Sequence, residues 1–147
     1  MSEIAGQALL QKSVADLVAA SDNPELIAQL IPGCNGLHRI DVEHIEGRLA
    51  TQVAGIPIEA AVSVRRTVEV LESGVTRLHL RLKVRPDIGG HALVVALIDL
   101  TEASATSSNA SWRTSTELDP MLAVMAGQRV EEYLRTSIDR LIAGLAN

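Results

Sequence analysis

The stretch from Leu118 to Asn147 constrains the fold most. Asp119 and Pro120 form a helix start, an acceptor for exposed N–H groups followed by a residue suited to the first helical position. No proline follows. Ala123, Gly127, Val130, Leu134, Ile138, Leu141 and Leu145 fall on one stripe of the wheel, with Arg129, Glu132, Arg135, Thr136, Asp139 and Arg140 opposite. Glu131–Arg135 and Arg135–Asp139 are i,i+4 opposite-charge pairs, typical of a solvated face. Such a helix must lie across an apolar surface, and the preceding chain has to supply it.

Upstream, Glu3 to Gln11 reads as a strand and Lys12 to Ala20 as a short helix. Asn23-Pro24-Glu25 starts a second helix carrying Leu26, Ile27, Leu30 and Ile31, which Pro32-Gly33 ends. After Gly36 the period becomes two. His38, Ile40, Val42 and His44 alternate with Arg39, Asp41 and Glu43; a turn is expected at Glu46-Gly47, with Leu49, Thr51 and Val53 on the next strand. Gly55 to Leu71 is a long strand, closed by a hairpin at Ser73-Gly74. Leu78, Leu80, Leu82 and Val84 then alternate with Arg77, His79, Arg81, Lys83 and Arg85, the clearest half-buried strand in the chain. After turn residues Pro86 to Gly90, His91 to Leu100 is apolar on both faces, so cover on both is expected; Ala103 to Glu117 is a last strand. Short turns between successive strands imply antiparallel pairing. The expected class is α+β: one curved antiparallel sheet of about seven strands around the terminal helix, with two short helices after strand one.

Composition narrows the function. With 147 residues, 47% hydrophobic and 21% charged, residues 1–147 are expected to form a single globular domain. A net charge of −5 and a near absence of aromatic residues argue against nucleic acid as partner. The lone Cys34 suits a reducing cytoplasm, and the N-terminus lacks the basic and apolar regions of a signal peptide. There is no Phe, and Trp112 and Tyr133 stand alone, so the core rests on aliphatic side chains.

The element order, together with Asn23-Pro24-Glu25, Ile31-Pro32-Gly33-Cys34, Gly89-Gly90 before an Ala/Leu/Val-rich strand and a closing Met-, Ala- and Leu-rich helix, resembles the helix-grip fold of the START-like (SRPBCC) superfamily. Within it, the chain is most similar to the branch typified by the G subunit of carbon monoxide dehydrogenase. It departs from that branch where a tryptophan is usual in the first short helix, here Leu17 or Val18, and in having Ala105-Thr106 for a Gly-Thr pair. The resemblance implies a cavity between sheet and helix for an apolar small molecule such as a lipid, quinone or polyketide-like compound. It further implies assembly or membrane tethering of a redox enzyme, with no cofactor of the chain's own.

Site residues follow from strand parity and that analogy. The expected wall is Val62, Val64, Leu80, Leu82, Trp112 and Met125, with Arg66. Arg66 shares the parity of Val62 and Val64. It is either a cavity arginine orienting a polar head group or a residue returned to solvent by a bulge at Arg65-Arg66, and the bulge is the simpler reading. Met121, Leu122 and Met125 lie off the main helical stripe, at a cavity mouth, a homodimer contact or a contact with the short helices. The row Arg77 to Arg85 is expected to be a solvated outer face, with Glu59 and Glu69 as cross-strand partners.

Catalytic and metal signatures are missing from the sequence. There is no HExxH, CxxC or GxSxG; His38 and His44, placed on one strand face, stand too far apart for one metal. Cys34 follows a helix end, a position that does not favour a nucleophile. A non-catalytic binder is therefore expected. The alternatives are a cyclase/dehydratase-type enzyme drawing on Arg66, Tyr133 and His44, and a ligand-free assembly protein.

Overall fold

In the computed structural model the backbone is described for residues 2–31, 33–53 and 55–146, and side chains for these except 2–4, 30, 53, 121–123, 125–131, 133, 134 and 146. The order is β1 (Ser2–Leu10), α1 (Val14–Ser21), α2 (Pro24–Leu30), β2 (Cys34–Asp41), β3 (His44–Val53), β4 (Ile56–Val70), β5 (Thr76–Pro86), β6 (Ala92–Ser104), β7 (Ser107–Leu118) and α3 (Pro120–Ala146). The seven strands form one antiparallel sheet in the order β1-β7-β6-β5-β4-β3-β2. This is the class that the periodicity predicts.

Local chemistry sets the helix ends. Ser13 Oγ accepts from the Asp16 N–H at 3.2 Å to start α1, and Asn23 Oδ1 accepts from the Glu25 N–H at 3.0 Å to start α2, with Pro24 in its first turn. Asp119 Oδ2 accepts from the His91 N–H at 3.2 Å, tying the entry of α3 to the start of β6.

Alternation sorts the strand residues. The inner face carries Ala60, Val62 and Val64 of β4, Leu78, Leu80 and Val84 of β5, and every second residue of β6 from Ala92 to Leu100. Against it lie Leu17 of α1, Ile27 of α2, and Ile138, Leu141, Ile142 and Leu145 of α3. The helical stripe read from the sequence is thus buried at Ile138, Leu141 and Leu145. Its members Ala123, Gly127, Val130 and Leu134 lie outside the described side chains, as do Met121, Leu122, Met125 and Tyr133.

Three expectations are corrected. The β2–β3 turn is at Val42 and Glu43, not Glu46-Gly47, because Asp41 Oδ1 accepts from the Glu43 N–H at 2.9 Å. Gly47 instead sits inside β3, where a Cβ would collide with the Gly36 carbonyl oxygen. Moving the turn reverses the faces of β2, so Arg39 pairs with Ile45 and shares its inner face while Ile40 is 57% exposed. His38 and His44 accordingly stand on neighbouring strands rather than on one. Second, the β4–β5 register runs unbroken from Ala60 to Val70, so no bulge turns Arg66 to solvent. Third, the outer face of β6 is half-buried rather than fully covered. Leu93, Val95 and Leu97 lie between Lys83, Arg81 and His79 of β5 and Glu117, Ser115 and Arg113 of β7, flanking side chains of the kind whose stems shield apolar surface.

Candidate functional site

The inner face and the helices line a cavity of about 50 Å³, walled by Ile27 of α2 and Ile31 just after it, Val64 of β4, Leu80 and Leu82 of β5, Val94 and Ala96 of β6, and Ser137, Ile138 and Leu141 of α3. Its position follows from side-chain size: Ala96 stands between the longer Val94 and Ile98 on the interior strand β6, leaving space where α2 and α3 meet the sheet. Ser137 is the polar residue among these walls, and it is buried.

Arginines from two strands meet at the α1–α2 corner. Arg66 Nε donates to Ser21 Oγ at 2.8 Å and one Nη to the Val18 carbonyl at 2.9 Å; another Nη lies 3.6 Å from Asp22 Oδ1. Arg39, from β2, donates to the Asp22 carbonyl at 2.7 Å and to Asp22 Oδ1 at 3.0 Å. Two cations thus satisfy carbonyls at the C-terminal end of α1, where the helix dipole favours positive charge. They fasten the corner leading into α2, whose Ile27, with Ile31 just past the helix, walls the cavity.

The predicted wall residues are distributed as follows. Val64, Leu80 and Leu82 line the cavity; Val62 is buried beside it in the core. Arg66 points inward, with 16% of its side chain exposed, and its guanidinium is engaged by α1. Trp112 packs against the core from the inner parity of β7, opposite Gly6, away from the cavity lining. A Cβ at Gly6 would strike its indole, so the glycine makes room for the ring. Met125 lies outside the described side chains. The expected wall omits Val94 and Ala96 of β6 and Ile27, Ile31 and Ser137 of the lining, as well as Arg39 at the corner. Ile27 and Ile31 carry a signal, an i,i+4 apolar pair on a short helix, but which helix faces the cavity depends on packing.

The polar groups of the enzyme alternative do not converge among the described residues. His44 is on the outer face, with Nε2 2.7 Å from Ser63 Oγ and 3.2 Å from Glu46 Oε1. Tyr133 lies outside the described side chains. Among the described residues, no three His, Cys, Asp or Glu side chains form a metal-binding group. An ion pair on the outer face shifts the titration of both its members. The hydrogen bonds from Arg77 to Asp99, at 2.7 and 3.0 Å, hold the Asp99 carboxyl below its usual range against the opposing effect of desolvation, and raise Arg77 in turn.

An antiparallel sheet gripping a long C-terminal helix, with two short helices after β1, is the START-like architecture, and solved structures bear it out. A conserved protein from Geobacillus kaustophilus superposes with a TM-score of 0.75 at 15% identity, covering 99% of this chain and 93% of that one. A START superfamily protein from Mycobacterium smegmatis gives 0.59 at 12% identity, covering 98% and 94%. A STAR-related lipid transfer protein from Xanthomonas axonopodis gives 0.57 at 16% identity, covering 99% and 86%. The family model for CoxG, the G subunit of carbon monoxide dehydrogenase, matches residues 6–147, and the chain belongs to that family. No curated protein sequence matches it. Among the described residues, no helix is long and apolar enough to cross a membrane.

Proposed function

We propose that the chain is a non-catalytic carrier that holds an apolar small molecule (a lipid, quinone or polyketide-like compound) between its sheet and α3. The observation that carries this reading is the cavity, apolar on its described walls except at Ser137. A volume of about 50 Å³ is below the roughly 150 Å³ of an apolar cavity that holds benzene. Loading therefore requires α2 and α3 to move off the sheet, with the arginine-fastened α1–α2 corner as the hinge. Membership in the CoxG family supports a role in assembly or membrane association of a redox enzyme, in the cytoplasm. The likeness to a protein described as a STAR-related lipid transfer protein supports an apolar cargo. A homodimer through the first half of α3 belongs to the same reading.

The test is a methyl-labelled NMR titration with decylubiquinone and, separately, with decanol. Saturable shifts of Val64, Leu80, Leu82 and Val94 methyls are expected, with Val42 and Val70, 81% and 76% exposed, unmoved. Shifts confined to the exposed methyls, or none with either probe, would sink the reading.

A further inference from the structure

The outer face of the sheet carries several concavities unrelated to the apolar one, and one of them is lined by cations. It is a cleft of about 320 Å³ between β3, β4 and β5, lined by His44, Glu46, Ala61, Ser63, Lys83 and Arg85. Ala61 and Ser63 are short, and the longer side chains of the neighbouring strands stand around them. In register, Ser63 lies between Glu46 and Lys83, and Ala61 between Arg48 and Arg85.

Charge on this face is not balanced. One residue pair along, Arg65 of β4 stands directly opposite Arg81 of β5, an arrangement that costs stability between paired strands. Elsewhere the same strands use opposite charges: Arg77 stands between Glu69 and Asp99 and is bound by the latter. Arg48 is likewise paired, with Asp87. Among the described residues, the side chains of Arg65, Arg81, Lys83 and Arg85 have no hydrogen bond or ion pair within the protein. Four unneutralised cations therefore crowd this part of a chain whose net charge is −5. Beside them the half-buried His44 ring and the Ser63 hydroxyl are held together at 2.7 Å, with the Glu46 carboxylate as the local anion. Cations, a hydroxyl and an imidazole around a small-residue floor are the donor set that binds a phosphate-type oxyanion.

We propose that this outer cleft is a second ligand site that takes a phosphate-type oxyanion through Lys83, Arg85 and the His44–Ser63 pair. The anion occupies the space over Ala61 and Ser63, offsets the Arg65–Arg81 repulsion, and displaces the Glu46 carboxylate from His44. The oxyanion belongs either to a soluble phosphorylated molecule or to a lipid headgroup.

Calorimetry with inorganic pyrophosphate at low ionic strength tests the site, alongside sedimentation with phosphatidylglycerol and phosphatidylcholine vesicles. One saturable pyrophosphate site is expected, with a shift of the His44 ring resonances. K83Q/R85Q, which keeps most of the aliphatic stems, weakens it by about tenfold or more, whereas R113Q, a cation on β7 outside the cleft, leaves it unchanged. Wild-type sedimentation with phosphatidylglycerol alone, lost in K83Q/R85Q, assigns the oxyanion to a lipid headgroup; pyrophosphate binding without it assigns a soluble phosphate. Unsaturable or absent pyrophosphate binding overturns the proposal, whatever the vesicles do. So does equal weakening in K83Q/R85Q and R113Q, or a His44 ring that pyrophosphate leaves unmoved.

Discussion

Arg66 reaches from β4 to Ser21 at the end of α1, its Nε 2.8 Å from the hydroxyl oxygen, and so joins the sheet to the corner that precedes α2. Ser21 is 2% exposed and its own hydroxyl donates to the Val18 carbonyl, which also accepts from Arg66. Replacing Arg66 by Ala leaves these buried acceptors short of a charged donor, at a cost of about 2 kcal/mol. Lys should not restore it, because an ammonium cannot reach the hydroxyl and the carbonyl with the spacing of a guanidinium fork. Urea unfolding of R66A and R66K checks this, and wild-type stability in either variant would contradict it.

Gly47 is needed for close approach of two backbones rather than for a turn. A Cβ there would overlap the Gly36 carbonyl oxygen and press on the Leu37 side chain. G47A should therefore lose about 3 kcal/mol, whereas Gly74→Ala, with open space around it but a positive φ, should lose less. Thermal unfolding of the two variants ranks them.

Asp99 makes the outer face sensitive to acid. Its carboxyl is held below the usual range by the Arg77 hydrogen bonds, so ionisation favours the folded state. That contribution is complete above the unfolded carboxyl pKa of about 3.9 and disappears as pH falls through the depressed folded value. The melting temperature of wild type should exceed that of D99N near neutrality, and the gap should close only below about pH 4. A gap independent of pH would rule this account out.

Leu80 lines the cavity and is 6% exposed, so truncation enlarges a space already present. L80A should lose about 2–5 kcal/mol, and saturating benzene should return part of it by binding only the folded state. Chemical unfolding with and without benzene measures both effects; an L80A protein indifferent to benzene would show that the site collapses instead.

The sequence conveys the architecture well and the site unevenly. Alternation in β5 and the stripe of α3 each have one physical solution; the first stands in the structure, and the second does at Ile138, Leu141 and Leu145. Inward placement of Val64, Leu80 and Leu82 follows from the same parity. Faces are lost in β2, where the turn expected at Glu46-Gly47 lies at Val42 and Glu43. Period two leaves no tolerance for a misplaced turn, so alternation puts Arg39 outside and makes His44 an inner candidate, the reverse of what the structure shows. A bulge is the simpler reading of Arg66 because the acceptors that stabilise it, Val18 and Ser21, lie on a helix whose docking no local pattern encodes. Ile27 and Ile31 reach the cavity through that same docking.

Ala96 offers the most direct test of the carrier reading, because it lines the cavity and is 3% exposed, and a larger side chain there fills the space without touching the surface. Native mass spectrometry of freshly purified wild type and A96M, each compared with its denatured sample, is the measurement. The account predicts a discrete extra mass on folded wild type, lost on denaturation and missing from folded A96M. The same adduct on both proteins, or none on wild type, would contradict an apolar ligand held between the sheet and α3.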